Sequence, residues 1–325
     1  MGSQDVADVE GSEMTMPADG AKIVPVPVEC GPGGLERVGV VVHPTREIDG
    51  ALGALRDWVA DHDLELVQIE AGTNRQRPVA EFGEVERCDL VVAIGGDGTV
   101  LASLRAAMRT GAPVLGVACG SLGALTDTSA DHLAEALDGY LAGDWFPRRL
   151  PALAVRCEED GTEQAALNDF VVVRRSGGQV AVDVTVDGEL YVRLAGDGVV
   201  CATSLGSTAY SMAAGGPILV GPAPAFVVTP LAMHGGSAPP IVVQDTAKVE
   251  LVVHPTFSGF DVEVDGRPVE AGGVRYSVTM REDAATLVAS AEPDHGLGGL
   301  RKRRIVMDSP RVMARDDREA RKRSE

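Results

Sequence analysis

The period of the apolar residues changes once along this chain, near Trp145. Before that point, short apolar runs alternate with segments of helical period, and after it nearly every apolar run is short and bounded by turn residues. Strands that alternate with helices favour a parallel sheet covered on both faces. Strands that follow one another without helices favour an all-β unit. We therefore predict an α/β domain with a parallel, Rossmann-like sheet, followed by an all-β, sandwich-like domain.

The domain boundaries are predicted from the same change of pattern, and a length of 325 residues suits two domains. Residues 1–34 mix acidic residues with Ser, Gly and Pro without periodicity, which predicts a disordered leader. The α/β domain is predicted over 35–146 and the β domain over 147–300. The tail, 301–325, is rich in both signs of charge and is predicted to be solvated.

Individual elements are predicted from the spacing of apolar residues and turn signals. In the first domain, strands are expected at 38–42, 65–69, 89–94 and 113–117, and helices at 48–62, 100–109 and 131–141. In the second, strands are expected at 152–157, 169–174, 180–186, 190–194, 199–202, 241–243, 248–253, 259–264 and 276–280. Asp187-Gly188 and Asp265-Gly266 lie between such strands and are typical of two-residue hairpin turns, because glycine tolerates a positive φ.

Composition and charge exclude several classes of protein. The formal net charge of −19 repels polyanions, so nucleic-acid binding is not expected as the main activity. The cysteines contain no CxxC pair and predict neither a disulfide framework nor a zinc site; they are Cys30, Cys88, Cys119, Cys157 and Cys201. The sequence has no secretion signal and no apolar run of about eighteen residues. We therefore expect a protein of the reducing cytoplasm that does not interact with a membrane.

A glycine-rich loop, Gly95-Gly96-Asp97-Gly98-Thr99, lies between a predicted buried strand and a predicted helix. Such a loop lets the backbone approach a phosphate, towards which the amides at the start of the helix point. A carboxylate beside phosphates is repulsive unless it takes up a proton or a metal ion, so Asp97 is a candidate general base for an attacking hydroxyl. The alternative is a tight turn in which Asp97 caps the helix. Because the loop lacks a Lys-Ser or Lys-Thr ending, a GTPase or ATPase of the Walker type is disfavoured.

A second polar cluster extends over residues 196–217. It contains Gly-Asp-Gly at 196–198, Thr-Ser-Leu-Gly-Ser-Thr-Ala-Tyr-Ser at 203–211 and Ala-Gly-Gly-Pro at 214–217. This segment offers a carboxylate, several hydroxyls and many amides, which are the partners that the sugar and phosphates of a nucleotide need. The two clusters together predict a nucleotide-binding site.

These two clusters, with Asn168-Asp169 between them, resemble the NAD kinase family. That family has the Gly-Gly-Asp-Gly-Thr loop, an Asn-Glu dipeptide, and then Gly-Asp-Gly, Thr-Pro-Thr-Gly-Ser-Thr-Ala-Tyr-Ser and Ala-Gly-Gly-Pro in the same order. Lipid kinases and phosphofructokinases share the first loop but not the Gly-Ser-Thr-Ala-Tyr segment. The resemblance spans roughly 38–300 and implies an α/β domain and a β-sandwich with the nucleotide between them. It implies a phosphotransferase that moves the terminal phosphate of ATP to the 2′-hydroxyl of the adenosine ribose of NAD, giving NADP.

The resemblance also implies a role for each matching residue. Asp97 would be the base that activates the acceptor hydroxyl. The residues that would hold the donor phosphates are Gly95, Gly96, Gly98 and Thr99, and those that would hold the acceptor are Asn168, Asp169, Asp197, Thr208, Ala209 and Tyr210. His234 matches a family histidine and is a further candidate. Family members use ATP, and some use polyphosphate, with Mg²⁺ or another divalent cation, whose ligands in this chain the sequence does not identify. A homodimer or homotetramer joined through the β domain is implied as well.

Several positions depart from the family pattern. The family has Asn where this chain has Ala118, and Phe where it has Ala124. In the same way, Asp169 stands in place of Glu, Ser204-Leu205 in place of Pro-Thr, Pro239 in place of Arg, and Arg267 in place of Gln. These changes favour an alternative, a related kinase that phosphorylates a ribose hydroxyl of another nucleoside or nucleotide, such as an intermediate of specialised metabolism. A third alternative is a silent nucleotide-binding regulator. The presence of Asp97 argues against it, because a sensor gains nothing from a carboxylate beside phosphates.

Overall fold

The computed structural model describes residues 34–71, 77–121, 123–221, 223–255, 259–291, 297–302, 305–315 and 318. The predicted disordered leader therefore lies outside the described residues, apart from Gly34, as does part of the predicted tail. Within the described residues, no helix is both long enough and apolar enough to cross a membrane.

The first domain is a parallel sheet with helices on both faces, as predicted. Its strands are β1 (Arg37–Val42), β2 (Glu65–Ile69), β3 (Phe82–Gly83), β4 (Leu90–Gly95), β5 (Val114–Ala118) and β6 (Thr128–Ser129), and its helices are α1 (Asp49–Asp61), α2 (Asp97–Ala107) and α3 (Leu133–Ala142). Helices α1 and α3 bury Leu55, Trp58 and Leu137 on one face of the sheet, and α2 buries Val100 and Leu104 on the other. Because both faces are covered, the strands are continuous apolar runs, and every residue of β4 is buried.

The strand order of this sheet, β5-β4-β1-β2-β3, reverses between β1 and β4. The chain passes from β1 to β2 on one side and from β4 to β5 on the other. At such a reversal the loops that leave the carboxyl ends diverge and open a crevice, where open α/β sheets bind their ligands. The glycine-rich loop follows β4 directly, so it lies at this crevice.

The second domain is a sandwich of two sheets. Its strands are β7 (Phe146–Cys157), β8 (Glu163–Ala166), β9 (Asp169–Arg174), β10 (Val180–Val186), β11 (Glu189–Gly196), β12 (Gly198–Ala202), β13 (Ala225–Leu231), β14 (Ile241–Gln244), β15 (Val249–His254), β16 (Phe260–Val264), β17 (Arg267–Val269) and β18 (Arg275–Ala289). One sheet has the order β14-β13-β12-β9-β16-β17, and the other contains β11-β10-β15-β18 with β7 and β8. Their inner faces share one apolar core, which includes Phe170 and Phe226 from the first and Val182, Val249 and Val278 from the second. The second half of the chain also contains two short helices: α4 (Tyr210–Ala213) lies between β12 and β13, and α5 (Leu297–Lys302) follows β18.

Strand β18 connects the two domains. It pairs antiparallel with β7 and β15, and its Leu287 pairs in parallel with Val114 of β5. The register shifts between Arg281 and Ala285, where Asp283 has a φ of 50°. The sheet of the first domain therefore continues into the sandwich through this strand.

The predicted fold class is confirmed, and so are both hairpin turns. Asp187 and Asp265 have φ of 49° and 50°, and each is followed by a glycine of positive φ between directly paired strands. Strand β13 was not predicted because Pro230 interrupts its apolar run. The second half of β18 was not predicted because the charged residues at 281–283 resemble the end of a strand.

Candidate functional site

The glycine-rich loop leads directly into α2. The last residue of β4 is the buried Gly95, Gly96 is the N-cap residue, and the helix begins at Asp97. The first intrahelical bonds are donated by Thr99 and Val100 to the carbonyl of Gly96, at 2.9 and 3.1 Å. The amides before them have no intrahelical acceptor and point out of the helix N-terminus, towards which an anion is attracted. These amides are free to donate hydrogen bonds to phosphate oxygens, and the phosphate-binding role of the loop stays a prediction.

The carboxylate of Asp97 is held by the loop that follows β5. Its oxygens accept hydrogen bonds from the amides of Ala124, at 3.0 Å, and Leu125, at 2.9 Å. Gly123 is required beside it, because a Cβ there would collide with the carboxylate. The side chain makes no capping hydrogen bond to the helix. The alternative interpretation, in which Asp97 serves as the helix cap, is therefore wrong.

Asn168 and Asp169, at the start of β9, are positioned through their backbone. The Asp265 carboxylate accepts hydrogen bonds from the amides of Asn168, at 2.6 Å, and of Leu167 and Asp169, both at 3.3 Å. On the other side, the amide of Thr203 donates to the carbonyl of Asn168 at 2.9 Å. The sequence analysis identified Asp265 only as a turn residue. Its side chain holds a segment nearly a hundred residues away, and no pattern in the sequence signals that contact.

A buried ion pair connects Asp265 to α2. Arg105 of α2 lies 3.7 Å from the carboxylate of Asp265, whose side chain is fully buried. Burial lowers the pKa of Arg105 and raises that of Asp265, while the three amides and Arg105 act in the opposite direction on Asp265. Leu167 and Leu205 pack against the same apolar cluster as Val100 of α2. The segments predicted to hold the acceptor therefore lie against the helix that begins with Asp97.

Burial first, and then the nearby charges of Asp265 and Glu263, raise the pKa of Asp169 to about 7. Its side chain is only 4% exposed, and no hydrogen bond to its carboxylate occurs within the described residues. Asp265 accepts hydrogen bonds from three amides and lies beside Arg105, and both interactions stabilise its ionised form. We therefore assign the proton that titrates near neutrality to Asp169. This residue can donate a hydrogen bond to a ligand below neutral pH and only accept one above it.

The hydroxyl-rich segment at 203–211 divides into buried and accessible groups. The hydroxyls of Thr203, Ser207 and Ser211 are fully buried and are used within the protein. That of Ser207 donates to the carbonyl of Ser204 at 2.7 Å, and those of Ser211 and Thr229 lie 2.9 Å apart. These three hydroxyls therefore hold the loop together. Thr208 and Ala209 are half-buried, and Tyr210 is 42% exposed.

Tyr210 lies among carboxylates. Burial raises the pKa of its phenol, and the charges of Glu263, Asp197 and Asp169 raise it further. Three predicted acceptor residues, Asp169, Asp197 and Tyr210, therefore lie close enough to interact electrostatically. Asp197 also forms an ion pair with Arg174, at the end of β9, which the sequence analysis did not single out.

Comparisons with known proteins agree with this arrangement. Residues 38–145 match the family model described as the ATP-NAD kinase N-terminal domain, and residues 167–287 match the ATP-NAD kinase C-terminal domain. The NAD kinase of Chlorobium phaeobacteroides is 31% identical over 270 residues, covering 80% of this chain and 93% of that protein. The NAD kinase of Heliobacterium modesticaldum is 38% identical over 242 residues, covering 70% and 83%.

The chain belongs to the NAD kinase family. The predicted family and the predicted enzyme class, a phosphotransferase that acts on a hydroxyl group, are thereby confirmed. Among solved structures, yeast NADH kinase complexed with NADH aligns with a TM-score of 0.69 at 22% identity, covering 85% of this chain and 89% of that one. An NAD kinase from Archaeoglobus fulgidus in complex with ATP aligns with a TM-score of 0.63 at 24% identity, covering 81% and 97%. At these identities the two structures support the fold alone.

Two departures from the NAD kinase pattern lie together in the structure. Ala124, where the family has Phe, and Leu205, where it has Thr, both pack against the buried cluster that contains Val100 and Leu104. The ring is lost, but an aliphatic side chain is gained on the same cluster. Ala118, where the family has Asn, instead lines a cleft at the crevice between β1 and β4. These three departures therefore fall in two places.

His234 lies at the edge of the sandwich. It is exposed, its amide donates to the carbonyl of Ala195 at 2.8 Å, and its Nδ1 lies 3.2 Å from Oε1 of Gln179. His234 therefore lies beside Ala195 of β11, two residues before Asp197. Its role stays a prediction. Among the described residues, no three His, Cys, Asp or Glu side chains come together in a way that could hold a metal ion.

Proposed function

We propose that this protein transfers the terminal phosphate of ATP to the 2′-hydroxyl of the adenosine ribose of NAD, giving NADP and ADP. Its membership of the NAD kinase family supports this reaction, as do the names of its relatives. The observation that carries it is the placement of Asp97. This carboxylate stands at the N-terminus of α2, beside amides suited to phosphate, and is oriented by the amides of Ala124 and Leu125.

The donor phosphates would bind at the glycine-rich loop. The amides of Gly96, Asp97 and Gly98 and the hydroxyl of Thr99 are suited to phosphate oxygens, and the dipole of α2 adds attraction. Gly98 is exposed and has open space around its Cα, so a phosphate can approach the backbone. Gly95 is buried and contributes by leaving room for the side chain of Thr99.

The acceptor would bind between α2 and the start of β9. The side chain of Asn168 and the carboxyl of Asp169 would contact ribose hydroxyls, and the exposed ring of Tyr210 would pack on the nucleotide. Asp197, Thr208 and Ala209 complete the proposed set. In the reaction, Asp97 takes the proton of the 2′-hydroxyl as that oxygen forms a bond to the γ-phosphorus. The bond between this phosphorus and the β–γ bridging oxygen breaks, and ADP leaves with the electron pair.

A magnesium ion fits this site if it is bound mainly through the phosphates of ATP. The described residues offer no cage of three carboxylate, His or Cys ligands, and Mg²⁺ commonly binds through one or two carboxylates, several waters and substrate phosphates. When bound, the ion would neutralise charge on the transferring phosphate. Because the loop contacts phosphate rather than base, polyphosphate is a second proposed donor.

We also propose a homo-oligomer and a cytoplasmic location. Edge strands β11 and β14 carry Leu190, 52% exposed, and Val242, 53% exposed. Unpaired strand edges with exposed apolar side chains favour pairing with a second copy.

The second candidate function is phosphorylation of a ribose hydroxyl on another nucleoside or nucleotide. Ala124, whose amide contacts Asp97, offers no ring to an acceptor, and this observation favours a reshaped pocket. Incubation with magnesium-ATP and a panel of NAD, NADH, adenosine, uridine and their monophosphates, read by mass spectrometry, distinguishes the two. Conversion of NAD supports the first function. Conversion of another member of the panel, with NAD unchanged, supports the second.

Replacing Asp97 by Asn tests the catalytic role. Asn keeps one oxygen as an acceptor for the amides of Ala124 and Leu125 but is not a base, so kcat should fall by about 10²- to 10⁴-fold. The melting temperature and the Kd for ATP should change little. Asp57→Asn, on the exposed side of α1, is a matched control that should leave kcat unaltered. Turnover by Asp97→Asn at the rate of the unsubstituted protein would remove Asp97 from this role.

A further inference from the structure

Arg46 lies at the crevice where the strand order reverses. It follows β1 by four residues, and its Nη1 donates to the carbonyl of Cys119, just after β5, at 3.3 Å. A Cβ at Gly96 would lie 3.1 Å from the same Nη1, so the guanidinium stands directly over the glycine-rich loop. Arg46 is exposed, and within the described part of the chain it forms no ion pair. A free cation therefore faces the amides at which the donor phosphates would bind.

His43 fixes the turn that presents Arg46. Its Nδ1 accepts hydrogen bonds from the amides of Thr45, at 3.2 Å, and Arg46, at 3.1 Å. Burial lowers the pKa of His43, and the charge of Arg46 lowers it further, so the imidazole is neutral at neutral pH and carries its proton on Nε2. The amide of His43 continues the pairing of β1 with β4 by donating to the carbonyl of Ile94 at 2.9 Å. The turn is thus anchored to the strand that ends at the glycine-rich loop.

Arg46 also lines a cleft of about 540 Å³, which lies between the start of α1 and the segment that follows β5. The acidic side chains on this cleft are Glu47, Asp49 and Asp131. Asp49 is paired with Arg77 at 2.7 Å, and Glu47 accepts the amide of Asp49 at 3.1 Å. These partners reduce the repulsion from Asp49 and Glu47 that an anion would meet beside Arg46.

We propose that Arg46 binds the phosphate chain of the donor, with His43 as the positioning residue that orients it. This inference rests on the proposed function, because it assigns a partner to the donor of that reaction. The guanidinium is planar and donates several N–H groups in a fixed fork, which matches two oxygens of a phosphate. Its place over Gly96 lets one phosphate contact the loop amides and Arg46 together. Recognition of phosphate rather than base means that ATP and an inorganic polyphosphate use this residue alike.

The test is calorimetric binding of magnesium-ATP and of inorganic tripolyphosphate, without acceptor, to the full-length protein. Arg46→Ala should raise the Kd of both ligands by about 10- to 100-fold, and Arg46→Lys should restore part of the loss. Arg87→Ala is the matched control, since Arg87 is an exposed residue paired only loosely with Glu84, at 3.8 Å, and should leave both Kd values unchanged. A Kd for Arg46→Ala within twofold of that of the unsubstituted protein overturns the inference. A loss confined to ATP contradicts binding through phosphate.

The role of His43 is tested by comparing two substitutions. His43→Leu removes the acceptor at Nδ1 and should raise the Kd of both ligands several-fold, whereas His43→Asn places an amide oxygen near the same position and should restore binding. Equal binding by His43→Leu and the unsubstituted protein would refute the positioning role. Because these measurements use no acceptor, they stand apart from the proposed function. A protein that binds both ligands through Arg46 but does not phosphorylate NAD would disprove the acceptor and leave Arg46 in place.

Discussion

Replacing the buried Asp169 by Asn is expected to stabilise the protein, and the gain should grow as the pH rises. Asp169 has a pKa of about 7 in the folded protein, against an ordinary value of 3.8. The folded state therefore binds this proton more tightly than the unfolded state does. The contribution of the protonated carboxyl to stability is complete below pH 3.8, falls as the pH rises, and is lost once the pH passes about 7. Asn resembles the protonated form and does not titrate.

The size of the effect follows from the two pKa values. They differ by about three, and each pKa unit corresponds to 1.36 kcal/mol, so ionised Asp169 costs the folded state roughly 4 kcal/mol. Solvent screening reduces this little, because the side chain is only 4% exposed. Roughly 3 kcal/mol of this cost arises between pH 5 and pH 8. Asp169→Asn should therefore gain about that much over the unsubstituted protein between these two pH values.

The assay is urea denaturation of both proteins at pH 5, 6, 7 and 8, with the free energy of unfolding extrapolated to water. Titrating groups far from Asp169 contribute equally to both proteins and cancel in the difference. Asp57→Asn, at an exposed position on α1, is the control and should show no comparable trend. If the difference between Asp169→Asn and the unsubstituted protein stays constant within about 0.5 kcal/mol, Asp169 is not protonated in the folded state and our electrostatic reasoning fails.

Two further predictions concern the geometry of the site. Tyr210→Ala should raise KM for NAD by about 3- to 10-fold in steady-state kinetics, because a stacked ring contributes about 0.5 to 1.5 kcal/mol. Tyr210→Phe keeps the ring and should leave KM unaltered. An unchanged KM in the alanine variant would contradict packing of the Tyr210 ring on the nucleotide. Gly123→Ala should lower kcat by about tenfold or more, because the added Cβ displaces the Asp97 carboxylate. Gly53→Ala on α1, where a Cβ meets open space, is its control, and equal kcat values for the two would show that Asp97 tolerates the shift.

Most of the fold could be predicted from the sequence because apolar spacing and turn residues are local signals. The alternation of strands and helices up to Trp145 predicted the parallel sheet, and both Asp-Gly turns were found from two residues each. Two parts of the fold could not be predicted from the sequence. Pro230 cannot donate a ladder hydrogen bond and is rare in inner strands, yet β13 lies between β14 and β12. The pairing of Leu287 with Val114 joins residues far apart in sequence, and no local pattern predicts it.

The candidate site was predictable where its chemistry is carried by side chains in one segment. The glycine-rich loop gave Asp97, and the resemblance gave Asn168, Asp169 and Tyr210. What the sequence could not give is the set of side chains that act on distant backbone. Asp265 was identified as a turn residue alone, although its carboxylate organises the start of β9. Arg46 follows β1 without any motif, and only its approach to Gly96 in the structure draws attention to it.

The backbone contacts of Asp97 also explain how the chain can depart from the family pattern at position 124 and still hold this carboxylate in place. Asp97 is oriented by the amide of residue 124, which any amino acid other than proline supplies, so an alanine there removes a ring from the pocket without releasing the carboxylate. Leu205 adds apolar surface to the same cluster on which Ala124 packs. Gly123 has no such freedom, because a side chain at that position would occupy the space of the carboxylate itself. Tolerance at position 124 and intolerance at position 123 therefore have one cause, which is that the backbone of this loop, rather than its side chains, positions Asp97.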